Sequence, residues 1–182
     1  MNRFLVFFAI LHATATYGQQ NQRMIARQGK LSFFSYTSVE NIEATNNQVL
    51  SIIDKKEGTI GVSMLMRAFV FKKSLMEEHF NESYVESDIY PKTNFSGKIV
   101  DFDSESLNNG VAFIKGNMEM HGATKEIEVK VKIENEGNKL VMTGDFEVPV
   151  ADFDIKVPPL LTPNIAKIIQ VMFRFEYEPY EE

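Results

Sequence analysis

The sequence predicts an all-β fold, an antiparallel up-and-down meander of about eight strands carrying one helical flap. Three observations predict it. Ile127, Val129, Val131 and Ile133 alternate with Glu126, Glu128, Lys130, Lys132 and Glu134, the two-residue period of a strand with one face buried and one in water. Turns of hairpin length recur between such runs, Asn108-Asn109-Gly110 and Asn135-Glu136-Gly137-Asn138 among them. From Lys73 the pattern turns helical, and it returns to sheet after Pro91 with Phe95, Gly97 and Ile99. A meander of this size with one apolar face is best served by closing into a barrel, which removes its edges. A β-sandwich stays open, although the Cys–Trp–Cys pattern of immunoglobulin-type sandwiches is missing.

The chain begins with Arg3, an apolar run from Phe4 to Leu11, and small residues at Ala13-Thr14-Ala15 and Thr16-Tyr17-Gly18. Residues 1–18 therefore read as a secretory signal, with cleavage expected after Ala15 or Gly18. The run is shorter than the about 20 apolar residues that span a bilayer, and there is no cysteine to carry a lipid. A periplasmic or secreted protein without a stable membrane anchor is expected. Residues 19–29 are polar and expected to form a flexible leader. The barrel domain is set at 30–178, and residues 179–182 form a frayed acidic tail.

Within the domain, Lys30 to Val39 is rich in Phe, Tyr, Thr and Val, which suit a pleated surface. Ile42 to Thr45 and Val49 to Ile53 are two weaker strand candidates, and Lys55-Lys56-Glu57-Gly58 is a turn. Ile60, Val62, Met64 and Met66 then share one apolar face. Ser74 and Glu77 have the spacing of a capping box, and Met76 and Phe80 fall on one helical face. Thr93 to Phe102, Val111 to Met120, Glu126 to Glu134 and Leu140 to Val148 follow as strands. Asp152 to Val157 reads as a short edge piece, and the proline-rich loop Pro158 to Pro163 cannot join a sheet interior. Ile169, Val171, Phe173, Phe175 and Tyr177 line one face of the last strand.

With 182 residues, one domain can bury a substantial core. The net charge of −6 without a basic cluster argues against nucleic acid, whose affinity comes from neutralised phosphates. Chemistry has few parts to use. Gly61-Val62-Ser63-Met64-Leu65 lacks the second glycine of a nucleophile elbow, and only His79 and His121 follow the signal. A zinc site would have to join His79, Glu78 and Glu82 to His121, a spacing that matches no helical two-histidine motif. Met64, Met66, Met118 and Met120 raise a cuprous reading, but methionines on a strand face are more often adaptable apolar lining. No metal, cofactor or catalytic residue is assigned. Asn81-Glu82-Ser83 and Asn94-Phe95-Ser96 fit the N-glycosylation pattern.

Three stretches carry a family resemblance. The first is Ser74-Leu75-Met76, His79-Phe80, Tyr84, Ser87-Asp88, Tyr90-Pro91 and Phe95. The others are His121-Gly122-Ala123-Thr124-Lys125-Glu126-Ile127 and Asp152-Phe153-Asp154-Ile155-Lys156-Val157-Pro158. In this order, from about Lys30 to Tyr177, the chain resembles the YceI-like family of bacterial periplasmic lipid-binding proteins. The resemblance implies a lipocalin-like barrel holding a long isoprenoid or similar amphiphile, and no catalytic residue. Each five-carbon isoprene unit gains roughly 4 kcal/mol on leaving water, so long chains need a carrier across an aqueous compartment. The expected lumen residues are Ile60, Val62, Met64, Met66, Phe95, Ile127, Val129, Val131, Phe146, Phe173 and Phe175. Arg67, Lys72, His79, His121 and Lys125 are placed at the mouth, where positive charge would receive a diphosphate or carboxylate head. The alternative is a filled barrel acting as an extracytoplasmic stress or interaction protein. The oligomeric state is not set by the sequence, a homodimer being one arrangement it allows.

Overall fold

The computed structural model describes residues 22–37, 41–103, 105–157 and 166–180. The strands are β1 (Arg23–Ser35), β2 (Ile42–Asp54), β3 (Thr59–Leu65), β4 (Val70–Phe71), β5 (Lys92–Ile99), β6 (Gly110–Met120), β7 (Ala123–Glu136), β8 (Lys139–Pro149) and β9 (Ile168–Pro179). Each pairs antiparallel with its neighbour, and β1 pairs with both β9 and β2. Eight strands thus close into an up-and-down barrel, and the two-residue β4 adds to β2 beside Ala44 and Thr45. The flap lies between β4 and β5. It consists of α1 (Ser74–His79), running directly into a π-helical turn (Phe80–Tyr84).

Four local expectations are corrected. Arg23 to Gly29, expected in the leader, are the first half of β1, with Met24, Ile25 and Ala26 buried. Their polar neighbours conceal them, and register shifts around Gly29 break the regular alternation there. A Cβ on Gly29 would stand 2.5 Å from the Phe175 ring, so the bulge needs glycine. At the other terminus β9 runs through Pro179, and the Tyr180 amide donates to the Arg23 carbonyl at 3.0 Å, so the tail is not frayed at 179–180. Ile42 to Asp54 is one strand rather than two. Asp152 lies in a 3₁₀ turn (Val150–Phe153) ended by Asp154 at φ 54°, so the edge piece is a turn. The signal at 1–18, the loop 158–163 and residues 181–182 lie outside the described residues.

The sheet register creates two unlike halves. At the end formed by the β2–β3 and β7–β8 hairpins, inward side chains fill the barrel. Ile53, Val131, Ile133, Met142 and Tyr177 are all buried to 1% exposure or less. Phenylalanine rings cover inner glycines there: Phe175 over Gly29, Phe173 over Gly144 and Phe95 over Gly97. The Tyr177 hydroxyl shares a 2.7 Å hydrogen bond with Ser51, whose hydroxyl also donates to the Gly61 carbonyl at 3.1 Å. The opposite end carries the flap.

Candidate functional site: an apolar cavity under the flap

The flap half is hollow. A cavity of about 290 Å³ lies between the barrel and the flap. Leu31 and Phe33 of β1, Met64 of β3, Met118 and Met120 of β6, and Phe146 and Val148 of β8 supply its walls. Met76, Phe80, Tyr84 and Val85 of the flap supply its cover, and Met66, Phe69 and Phe71 its shoulder. Five methionines spread over wall, shoulder and cover give a lining whose unbranched side chains can re-pack around a guest. At roughly 30 Å³ per water-sized group, the space takes on the order of ten carbon atoms, about two isoprene units. A longer chain needs the flap to lift or the methionines to move aside. A second recess of about 360 Å³ lies outside Ile42, Phe71 and Met76, which line both spaces.

Phe80 is the flap's anchor. Its ring stands 5.5 Å from Phe33, 5.5 Å from Phe69 and 5.1 Å from Phe71, centroid to centroid. Such pairs each add about 0.5–1.5 kcal/mol beyond their burial. The capping box expected at Ser74 and Glu77 does not form. Lys73 is the N-cap residue and makes no side-chain cap, Ser74 is the first helical residue, and Glu77 instead accepts a long 3.4 Å bond from the Phe71 amide. Tertiary packing of aromatic rings, rather than a local cap, holds the helix start.

The far end of the flap is clasped by His121. The His121-Gly122 turn has positive φ at both positions, 51° and 78°, as a two-residue type I′ hairpin requires. The imidazole is 8% exposed, with Nε2 2.9 Å from Glu86 Oε2 at the flap's end. Nδ1 stands 3.0 Å from the Phe153 carbonyl, and the Tyr90 ring lies 4.5 Å away. His121 is therefore a buried tie between flap, hairpin and 3₁₀ turn, which corrects its placement at the mouth. It does not line the cavity with His79, and no group of three His, Asp or Glu side chains converges as a metal site among the described residues.

The other expected mouth cations are largely neutralised. Arg67 is ion-paired with Asp88, and Lys72 with Glu43 at 2.8 Å. Lys125 is exposed, and its register partner on β6 is Met118. Only His79 of the five lines the cavity. Of the eleven expected lumen residues, all lie in or against the hydrophobic core, but only Met64, Met66 and Phe146 line this cavity. Ile60, Val62, Phe95, Ile127, Val129, Val131, Phe173 and Phe175 are corrected from cavity wall to core packing. Alternation tells inside from outside; it does not tell which end of a barrel is empty. Met118 and Met120 were the visible signal, since they approach the same end as the flap. Three side chains raised as chemical candidates are engaged in structure. Ser63 donates to Asn94 Oδ1 at 2.8 Å, and Asn81 Nδ2 donates to the Glu77 carbonyl at 2.9 Å.

Residues 17–177 match the family profile described as YceI-like domain. Solved structures share the fold. A polyisoprenoid binding domain from Saccharophagus degradans implicated in plant cell wall breakdown is 12% identical, with TM-score 0.73 over 87% of this chain and 99% of that one. Burkholderia cenocepacia BcnA is 14% identical, with TM-score 0.70 over 81% of this chain and 95% of its own. The Campylobacter jejuni YCEI protein is 12% identical, with TM-score 0.64 over 81% and 90%. None of the curated proteins matches the chain at a significant level.

Proposed function

The chain belongs to the YceI-like family, and from that premise we propose that it is a non-enzymatic, exported carrier of isoprenoid-like or other long-chain amphiphilic lipids. The observation that carries this reading is the methionine-rich cavity, bounded by packed core at one end and bordered by an aromatic-anchored flap at the other. Burying ten carbons there gains about 8 kcal/mol at ~0.8 kcal/mol per methylene, before the costs of association. That is enough to hold a chain that water rejects, and small enough for release at a membrane. The likeness to a polyisoprenoid binding domain supports the ligand class. Export rests on the signal-like residues 1–18 and on the aqueous gap that a carrier would bridge.

Two measurements on the native protein test the reading together. Intact mass after cell fractionation should place it outside the cytoplasm, with its N-terminus at Thr16 or Gln19. The same material should speed transfer of a fluorescent polyprenol between phosphatidylcholine vesicles in proportion to protein concentration. A cytoplasmic protein retaining Met1 contradicts export, and transfer no faster than the protein-free rate contradicts carriage.

A further inference from the structure

The cavity's lining is apolar apart from four side chains, two on the barrel and two on the flap. Of the hydroxyls on the barrel side, Ser35 accepts from the Ala166 amide at 3.0 Å, and Thr93 donates to the Met66 sulfur at 3.1 Å. Two polar side chains of the flap, His79 and Tyr84, also line the cavity, and neither forms a hydrogen bond among the described residues. The chain geometry brings them together. In an α-helix of 3.6 residues per turn, positions 79, 80, 84 and 85 would spread around most of the circumference. Here the Val85 amide donates to the Phe80 carbonyl at 2.9 Å, five residues back, so the π turn stacks the later pair over the earlier one. All four residues consequently line one cavity.

The charge around them is one-sided. From Lys72 to Asp88 the chain carries two lysines against five carboxylates: Glu77, Glu78, Glu82, Glu86 and Asp88. Lys72 is already paired with Glu43, and Arg67 with Asp88. None of these carboxylates lines the cavity, and among the described residues no lysine or arginine lines it either, so a diphosphate brought under the flap would lose its water without meeting a cation.

We infer that His79 and Tyr84 hold an uncharged hydroxyl head of the bound amphiphile beneath the flap, and that a lining without lysine or arginine selects against a diphosphate head. The inference rests on the lipid-binding reading above. An alcohol suits two unlike partners, because it can accept from the Tyr84 phenol while exchanging a second bond with the imidazole. Burial raises the Tyr84 phenol above its ordinary range, which keeps it a donor at neutral pH. This departs from the expectation that mouth cations receive an anionic head.

Three ligands with one tail separate head from tail: farnesene, farnesol and farnesyl diphosphate, each displacing the neutral apolar probe N-phenyl-1-naphthylamine from the mature protein. For wild type, farnesol should bind about 3- to 10-fold tighter than farnesene, the value of one or two hydrogen bonds, and tighter than the diphosphate. His79→Phe and Tyr84→Phe keep an aromatic ring at each site. Together they should bring farnesol to the farnesene level while leaving farnesene unchanged. Equal binding of farnesol and farnesene by wild type, tighter binding of the diphosphate, or a farnesol advantage surviving both substitutions would overturn the inference alone. Displacement by none of the three would overturn the lipid reading and the inference with it.

Discussion

At the scale of single residues, the largest fully buried side chain among the described residues is Tyr177, and it makes a test of the packed half. Burial lifts its phenol well above the ordinary range, against a smaller opposing effect of the Ser51 hydrogen bond. In the unfolded chain the same phenol titrates near its ordinary value of 10.0. Above that pH the unfolded state binds fewer protons than the folded one, so deprotonation favours unfolding. The contribution is intact at neutral pH and drains by up to about 1.4 kcal/mol per unit as pH rises past 10. Tyr177→Phe should cost about 1 kcal/mol at neutral pH, for one lost hydrogen bond. It should also flatten the alkaline fall in stability, read by urea unfolding from about pH 8.5 to about pH 11. A variant with the same alkaline slope as wild type would mean that the phenol is not sealed. Tyr177 was legible as an inward residue on the last strand; its partner Ser51 was not, because a serine in a strand gives no sign of what lies across the barrel. His121 was legible as a turn residue. Its ties to Glu86 and Phe153 join positions 35 and 32 residues away, which no local pattern reports.

At the scale of elements, the flap was visible as an interruption of the strand period, but the reason for its stability was not. Ser74 and Glu77 have capping-box spacing, yet helix α1 starts one residue before the box requires, with Lys73 at the cap. Ring packing at Phe80 takes over that work. Ser74→Ala should therefore change stability by less than the ~1 kcal/mol expected of a cap. Phe80→Ala removes a half-buried ring from the Phe33–Phe69–Phe71 cluster. It should cost about 2 kcal/mol, below the ~3–5 of a fully buried phenylalanine, and should speed release of bound ligand. Thermal unfolding and stopped-flow release of the naphthylamine probe measure the two effects. A Ser74→Ala loss as large as that of Phe80→Ala would restore the capping box as the anchor. The first half of β1 escaped sequence reading for a different reason. Arg23, Arg27 and Gln28 surround Met24, Ile25 and Ala26, and the bulge at Gly29 shifts the inward face from even positions, Met24 and Ala26, to odd ones, Leu31 and Phe33.

At the scale of the whole molecule, closure and order of strands were legible because a meander leaves few other choices, while the division into a packed and a hollow half was not. Both halves show the same alternation. What separates them is volume: phenylalanine rings laid over glycines fill one end, and methionines bordering the flap leave room at the other. Carriage depends on that difference, and a pair of tryptophan substitutions reads it. Val131 is 1% exposed in the packed half, where Val131→Trp should cost ~1–3 kcal/mol or more by overpacking. Val148 lines the cavity, so an indole there can occupy space meant for a ligand. The deciding measurement is native mass spectrometry of wild type and Val148→Trp purified from the natural host without organic solvent, with the apo stability of both recorded. A hollow carrier gives wild type with one bound lipid, and a Val148→Trp protein that folds with near wild-type stability and carries none. Wild type at its bare mass, or a Val148→Trp variant as destabilised as Val131→Trp, would show a filled barrel with no place for a lipid.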